Sequence, residues 1–329
     1  VNILLVCPEL ASFIARDLKI LRERHQVAVR FVHHANPIRF LGDLRALWNC
    51  DLLFVWFASV YTLPLLLAAR LVGKRIVTVV GGYEAVNKPE INYGSARSPV
   101  LRTLVRRILA LSDRVLAVSH HSQREIKENL DVAPDKTQMI YHGFEDTASC
   151  RQEHKTAIVL GVGRISEETW MRKGFRDFVL MAEQVPDIQF VHVGSLQVNV
   201  ASKLGRRPPA NLNLAGRLSS DQLEHYMASA KVFLQLSRHE GFGCAVAEAM
   251  LWRCIPVVSN AAALPEVVGD CGIIVDSRDP ETVAEALKRA LAMPDSAGER
   301  ARERILSHFP YQRRRDELLK IIDTLTTQH

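Results

Sequence analysis

Two glutamates eight positions apart, Glu240 and Glu248, flank a pair of glycines in the run Ser237-Arg238-His239-Glu240-Gly241-Phe242-Gly243-Cys244. The run follows an apolar stretch of strand character, Val232–Leu236, and opens a helical pattern. Glycines at a strand-to-helix turn let a ligand approach the backbone. The unpaired N–H groups and positive dipole end of the helix favour an anion such as a diphosphate. At roughly 3.6 residues per turn, Glu248 falls about one turn into that helix and can reach back toward a bound ligand. Glu240 stands before the turn, where a carboxylate can accept hydrogen bonds from sugar hydroxyls. A single glutamate reads as an ordinary solvated charge; two flanking a glycine turn, with Ser237 ahead of them, form a constellation.

Other candidate groups are weaker alone. Gly161-Val162-Gly163-Arg164 follows a second apolar run, and Lys173-Gly174-Phe175 comes soon after, with Glu167, Glu168 and Trp170 between. In the first half, Gly81 and Gly82 open the backbone to a ligand while Tyr83 and Glu84 offer polar groups, an acceptor-side candidate. A tight turn with an exposed tyrosine is the plainer alternative. His120 and His121 read as a polar strand end, and a histidine there can also act as a pH-sensitive group.

These groups must be held by alternating strands and helices. Strands are expected at Ile3–Val6, Val27–Val32, Leu52–Trp56, Arg75–Val80, Arg114–Val118 and Thr137–Ile140. A second set is expected at Ala157–Val162, Gln189–Val193, Leu212–Leu214, Val232–Leu236, Ile255–Val258 and Gly272–Val275. Helical patterns lie between them, at Phe13–Glu23, Leu63–Val72, Val100–Leu111, Ser122–Asn129, Phe175–Gln184, Ser219–Ala228, Ala245–Trp252 and Pro280–Ala292. Such β-α alternation predicts an α/β fold of two doubly wound parallel sheets. Open sheets of this kind bind ligands beyond the carboxyl ends of their strands, so a ligand cleft between the two domains is expected. The polar stretch Glu145–Lys155 marks the boundary, giving domains 1–150 and 151–308. Residues 309–329 are expected to form a helix, Tyr311–Thr326, packing back on the N-terminal domain.

A length of 329 residues suits two domains, and 48% hydrophobic with 24% charged residues is an ordinary globular balance. The net charge of +6 is uneven: residues 1–150 hold 19 basic and 14 acidic side chains, the remainder 23 and 22. The helical stretch with Arg102, Arg106 and Arg107 is a candidate contact for an anionic membrane surface, or simply a core helix with a basic outer face. Charge alone does not support nucleic-acid binding without an aromatic platform or a known module. No Asp-x-Asp and no Cys-x-x-Cys occurs, so neither a metal site nor a disulfide framework is expected from Cys7, Cys50, Cys150, Cys244, Cys254 and Cys271. Free thiols and the absence of a leader before Val1–Val6 suggest a cytoplasmic setting. The apolar stretch Leu52–Ala69 is broken by Ser59, Thr62 and Pro64 and reads as strand plus helix.

The pattern Glu240-Gly241-Phe242-Gly243 followed by Glu248 resembles the E-x7-E signature of retaining family 4 glycosyltransferases, which have the GT-B fold of two Rossmann-like domains facing a cleft. Gly161–Arg164 with Lys173-Gly174 resembles the family's GR…KG segment. Ile255-Pro256-Val257-Val258 and Leu264-Pro265-Glu266-Val267-Val268 resemble its PVV…PE segment, and Ala117-Val118-Ser119 and Tyr141-His142-Gly143-Phe144-Glu145 its other landmarks. The resemblance implies that Arg164 and Lys173 bind the donor diphosphate and stabilise the leaving group, which is physically sensible for a polyanion. It implies that Glu240 contacts the transferred sugar and Glu248 the ribose. Gly241, Phe242, Gly243, Cys244, Ser237, Arg217 and Leu218 complete the implied donor site; Gly82, Tyr83, Glu84 and His120 are the acceptor-side candidates. The turn Cys7-Pro8-Glu9-Leu10-Ala11-Ser12 departs from the family, which usually carries glycines after its first strand.

The expected function is retaining, metal-independent transfer of a hexose-type sugar from a nucleoside-diphosphate sugar to a hydroxyl of a glycan, lipid-linked or small-molecule acceptor. UDP-sugar is the favoured donor and GDP-sugar the next; no cofactor is expected. The alternatives are a non-catalytic nucleotide-sugar-binding protein and a nucleotide-sugar epimerase of the same fold. A dinucleotide oxidoreductase is disfavoured because neither half carries G-x-G-x-x-G after its first strand. The expected location is cytoplasmic, with peripheral contact at the inner face of the membrane.

Overall fold

The computed structural model describes residues 1–32, 37–147 and 154–327. The polar stretch 148–153 between the halves, with Cys150, lies outside the described residues. The chain divides into two compact units, Val1–Gly143 with Tyr311–His329, and Phe144–Pro310. The final helix thus belongs with the first unit.

In the first unit the chain runs β1 (Asn2–Cys7), α1 (Ser12–Arg22), β2 (Gln26–Phe31), α2 (Pro37–Trp48), β3 (Leu52–Trp56), α3 (Leu63–Leu71), β4 (Arg75–Val80), α4 (Pro99–Leu111), β5 (Arg114–Ala117), α5 (His120–Leu130) and β6 (Thr137–Met139). The six strands form one parallel sheet in the order β2-β1-β3-β4-β5-β6. Strand β3 is buried along its whole length and β4 almost so. Near-continuous apolar runs are what a parallel sheet covered on both faces requires. Helices α2 through α5 pack side by side, as right-handed crossovers on one face demand.

The second unit runs β7 (Thr156–Val162), α6 (Glu167–Arg172), α7 (Phe175–Gln184), β8 (Gln189–Val193), α8 (Val200–Leu204), β9 (Leu212–Gly216), α9 (Ser220–Ser229), β10 (Ala230–Gln235), α10 (Cys244–Leu251), β11 (Ile255–Ser259), α11 (Leu264–Val268), β12 (Ile273–Val275), α12 (Pro280–Ala292) and α13 (Asp295–His308). Its parallel sheet has the order β12-β11-β10-β7-β8-β9. Strands are laid outward from β7 in one direction as far as β9, then from β10 in the other. The order therefore reverses between β7 and β10, the switch point where open sheets leave a crevice at the carboxyl ends. Lys155 ties down the opposite end of this sheet: its ammonium donates to the carbonyls of Met227, Ala230 and Trp252 at 2.9, 2.9 and 2.5 Å.

The last helix, α14 (Tyr311–Thr326), packs against α1 through a buried ion pair. Arg314 donates Nε to Asp17 Oδ1 at 2.6 Å and Nη2 to Oδ2 at 2.7 Å, and Nη1 to the carbonyls of Ile140 and Tyr141. Trp56 Nε1 donates to Asp17 Oδ2 at 3.1 Å. Every polar atom of this pair thus gains a partner, which a buried charge requires.

All twelve expected strands are present, with ends shifted by up to two residues. The helices α2, α6, α8, α11 and α13 were not anticipated from sequence.

Candidate active site

The turns after β7 and β10 carry the charged groups at the switch point of the second unit. Glu240 lies in the turn between β10 and α10, with its side chain 14% exposed. Its Oε1 accepts from Gln235 Nε2 at 2.8 Å and from Ser237 Oγ at 3.0 Å. Gln235 Nε2 also donates to Ser237 Oγ at 3.1 Å. Two cations stand close to the same oxygen, Lys173 Nζ at 3.8 Å and Arg172 Nη1 at 3.9 Å. Burial pushes the Glu240 carboxyl up, but Lys173, Arg172 and the Ser237 hydrogen bond outweigh it, and the net shift is downward. Glu240 is held as a carboxylate, and among the described residues no hydrogen bond engages its Oε2.

Lys173 is set by the backbone around it. It caps the end of α6, whose start is fixed by a capping box between Ser166 and Thr169. Gly174 follows with φ +67°, and a Cβ there would lie 2.2 Å from the Leu236 carbonyl oxygen. Only glycine both adopts that conformation at low cost and allows the two chains so close. Gly163 faces the Lys173 ammonium: a Cβ on it would stand 3.4 Å from Nζ. Arg164, next along, is exposed.

Helix α10 begins after Gly243, which has φ +106° and no side chain to cap the first N–H groups. Gly241, Cys244 and Glu248 are half-buried around this helix start, while the Phe242 ring is buried between Phe144 and Phe309 at centroid distances of 6.0 and 5.3 Å. Phe242 therefore presents only its backbone. Arg217 is exposed and Leu218 half-buried in the turn after β9.

Three expectations need correction. Ser237 is fully buried and its hydroxyl is spent on Glu240, so it positions that carboxylate and does not face a donor. Glu84 is 3% exposed and does not offer itself to an acceptor. Its Oε1 accepts from Ala58 N and Gly81 N at 3.1 and 3.3 Å and its Oε2 from Gly82 N at 3.1 Å. Burial raises its pKa, with those backbone hydrogen bonds opposing. Glu84 braces two loops of the first unit. Tyr83 is exposed and Gly82 buried beside it; His120 is not a strand end but the first residue of α5, exposed, with its ring edge-on to Tyr141. These acceptor-side candidates lie on the first unit and the donor-side candidates on the second.

Helix α4 buries Val105, Ile108 and Leu109 in the core of its unit and leaves Arg102, Arg106 and Arg107 exposed. Most of its apolar face is used in that core, and Val100 is left exposed near its start. Among the described residues no helix is long and apolar enough to cross one.

Three groups at the site escaped sequence reasoning. Gln235 and Arg172 secure Glu240; the alternation of a strand places Gln235 on the same side as Ser237, and a polar residue ending an apolar run was the available signal. His192 on β8 packs edge-on against Phe175 and Phe178 at 4.6 and 5.8 Å. It shares a cavity of about 20 Å³ with Gly161, Gly163, Lys173 and Gln235. Burial, then the Lys173 charge, lowers its pKa to about 3, so it stays neutral. Behind them Arg238 pairs with Asp177 at 3.3 Å.

A parallel sheet whose switch point gathers cations and a tethered carboxylate at a helix start can hold an anionic ligand, and the two six-stranded parallel sheets are those of GT-B glycosyltransferases. The Glycosyltransferase Family 4 model matches residues 1–147 and the Glycosyl transferases group 1 model residues 145–305. Together they take in nearly the whole chain, which is a glycosyltransferase of the family 4 type. Among curated proteins it is 27% identical to N-acetyl-alpha-D-glucosaminyl L-malate synthase of Bacillus anthracis, over 79% of this chain and 71% of that one. It is 36% identical to O-antigen chain mannosyltransferase B of Escherichia coli, over 23% of this chain and only 20% of the relative's own length. Among solved structures it resembles Anabaena Alr3699/HepE in complex with UDP and glucose, with a TM-score of 0.77, 14% identity, and coverage of 98% and 99% of the two chains.

Proposed function

We propose that the chain transfers a hexose-type sugar from a nucleoside-diphosphate sugar, UDP-linked in first place and GDP-linked in second, to a hydroxyl of a glycan, lipid-linked or small-molecule acceptor. The observation that carries this reading is the pairing of Lys173 and Arg172 with a Glu240 carboxylate tethered through one oxygen. The free oxygen is available to a sugar hydroxyl. The two cations, with Arg164 and the uncapped start of α10, supply positive charge where a departing diphosphate develops negative charge. That charge can take the place of a divalent ion, so transfer is metal-independent. Glu248 serves the ribose. Glu240 is hydrogen-bonded on one side and flanked by cations, an arrangement that binds a sugar and weakens it as a covalent nucleophile. The acceptor oxygen then attacks the anomeric carbon from the face the diphosphate leaves, the bond to the phosphate oxygen breaks, and that oxygen takes the acceptor proton. Configuration is retained.

The test is ligand-dependent thermal stabilisation with UDP, GDP and ADP in the presence of a chelator. A ligand that binds the native state alone raises the melting temperature. UDP is expected to do so without metal, and Lys173→Ala and Glu248→Ala to abolish the shift. Stabilisation by none of the three, or only with a divalent ion, overturns the reading.

A further inference from the structure

The sheet of the first unit has its own switch point. From β1 the chain goes to β2 on one side, and β3 lies on the other. The residues at the carboxyl ends of β1 and β3 therefore border a crevice of the kind that holds ligands in open sheets. No glycine-rich turn stands there. Cys7 closes β1 buried as a thiol, its pKa raised to about 11 by burial and then by Glu9. Aromatic rings occupy the position instead. Phe13 is the second residue of α1, just after the β1 turn, and Phe57 follows β3; both are half-buried. Their rings meet edge to face at 6.2 Å and 89°. Trp56 backs both, at 5.1 Å from Phe13 and 5.5 Å from Phe57, and His142 stacks on Trp56 at 5.9 Å.

Phe57 has φ +71°. A bulky residue in the left-handed region is a genuine outlier, and such residues persist only where their surroundings over-determine them. Three features do so here. Phe57 N donates to the Val79 carbonyl at 3.0 Å. The next residue, Ala58, donates its N–H to the brace Glu84. Gly81 has no side chain, and a Cβ on it would lie 2.2 Å from Phe57 Cε1. The fold thus holds one ring in a strained presentation at the place where a ligand is expected. The part of these two rings that stays accessible is edged by polar groups: Ser12 and Tyr61 are exposed, and Ser59 is half-buried two residues beyond Phe57.

We propose that Phe13 and Phe57 form a platform for the acceptor, and that the acceptor moiety seated there is a pyranose ring. A pyranose carries a face of C–H bonds and a rim of hydroxyls. The negative face of an aromatic ring attracts the former, and nearby hydroxyl side chains serve the latter. A lipid chain would call for a continuous apolar groove, which the surrounding serines and tyrosine interrupt. The inference rests on the glycosyl-transfer reading and narrows its acceptor to a sugar.

Saturation-transfer NMR on the full chain, with and without UDP, tests it using three probes: methyl α-D-mannopyranoside, methyl α-D-glucopyranoside and 1-octanol. Irradiation of the aromatic protons is expected to saturate the ring C–H protons of at least one pyranoside and to leave octanol unaffected. Phe57→Gly removes the ring and suits the φ of +71°, so the fold is kept; the signal is expected to fall at least tenfold. Phe13→Ala should weaken it too, and Phe57→Tyr should retain it. The UDP-induced rise in melting temperature should be the same in all three variants. Saturation of octanol alone, of no probe, or of the pyranosides equally in Phe57→Gly overturns the platform. Loss of the UDP shift in the unaltered chain overturns the donor reading instead, so the two failures are distinguishable.

Discussion

Replacing Gly174 by alanine separates two effects of a glycine that are usually confounded. Gly174 and Gly205 have nearly the same backbone conformation, φ +67° and +69°. Around Gly205 nothing lies within 4 Å of an added Cβ, whereas at Gly174 it would meet Leu236 O at 2.2 Å, Leu236 C at 2.5 Å and Leu236 Cβ at 2.9 Å. Both substitutions incur the left-handed penalty of roughly 1–2 kcal/mol for an L-residue. Both restrict the unfolded chain equally, so that effect cancels in the comparison. Gly174→Ala alone adds a collision with backbone that no side-chain rotation relieves, at about 1–3 kcal/mol. The expected totals are roughly 1–2 kcal/mol for Gly205→Ala and roughly 2–5 kcal/mol for Gly174→Ala. Two units need not unfold together, so the change is best read locally, from hydrogen-exchange protection of the β7 and β10 amides. Because Lys173 precedes Gly174 and stands 3.8 Å from Glu240, the same variant should also weaken UDP binding, while Gly205→Ala leaves it intact. If the two variants agree within about 0.5 kcal/mol, a spread expected for substitutions with no special mechanism, the close approach of Leu236 does not confine this turn and the reasoning fails.

Arg314→Met strands the carboxylate of Asp17, which is 0% exposed, and should cost about 3–5 kcal/mol in the first unit. The double replacement Asp17→Leu with Arg314→Met should cost much less, and equal losses on denaturant unfolding would show that the stranded carboxylate is not the source of the cost. Stability should also fall on acidification, because His142 and His192 are both held neutral by burial, His142 well below its usual 6.5 and His192 at about 3. Below pH 6.5 the unfolded chain takes up protons that the folded one refuses, so the stabilisation is present above 6.5 and is lost as pH falls toward 3. The slope is about 1.4 kcal/mol per pH unit for each histidine, and His192→Phe should remove one share of it in a pH series of unfolding measurements.

The sheets were legible because parallel strands covered on both faces are written as apolar runs; β3 and β4 were located to the residue. Helix α13 was not, for an equally physical reason. It packs through Ala297, Gly298, Ala301 and Ile305, mostly small residues that leave little apolar period, and a Cβ on Gly298 would come 2.4 Å from the Arg253 carbonyl. Helix α2 contains Pro37 and Gly42, which interrupt its pattern. At the site, the glycine turn between two glutamates drew attention to Glu240, while Lys173 stood out only through the resemblance to family 4 glycosyltransferases; the structure places the two 3.8 Å apart. Residue types and spacing could not indicate Gln235 and Arg172, whose importance depends on distances across separate segments.

The same limit explains why Glu84 and Glu240 looked alike in sequence. Each is a glutamate beside glycines after a strand, and each is largely buried. What differs is the compensation. Glu84 spends both oxygens on three backbone N–H groups from two loops, and burial raises its pKa. Glu240 is compensated on one oxygen by Gln235 and Ser237 and by two neighbouring cations, and its pKa is lowered. A buried carboxylate held by backbone on both oxygens braces; one anchored on a single side and kept ionised can meet a ligand. The two glutamates therefore differ by their surroundings, Glu84 fixing the loop that follows Phe57 and Glu240 keeping one oxygen open.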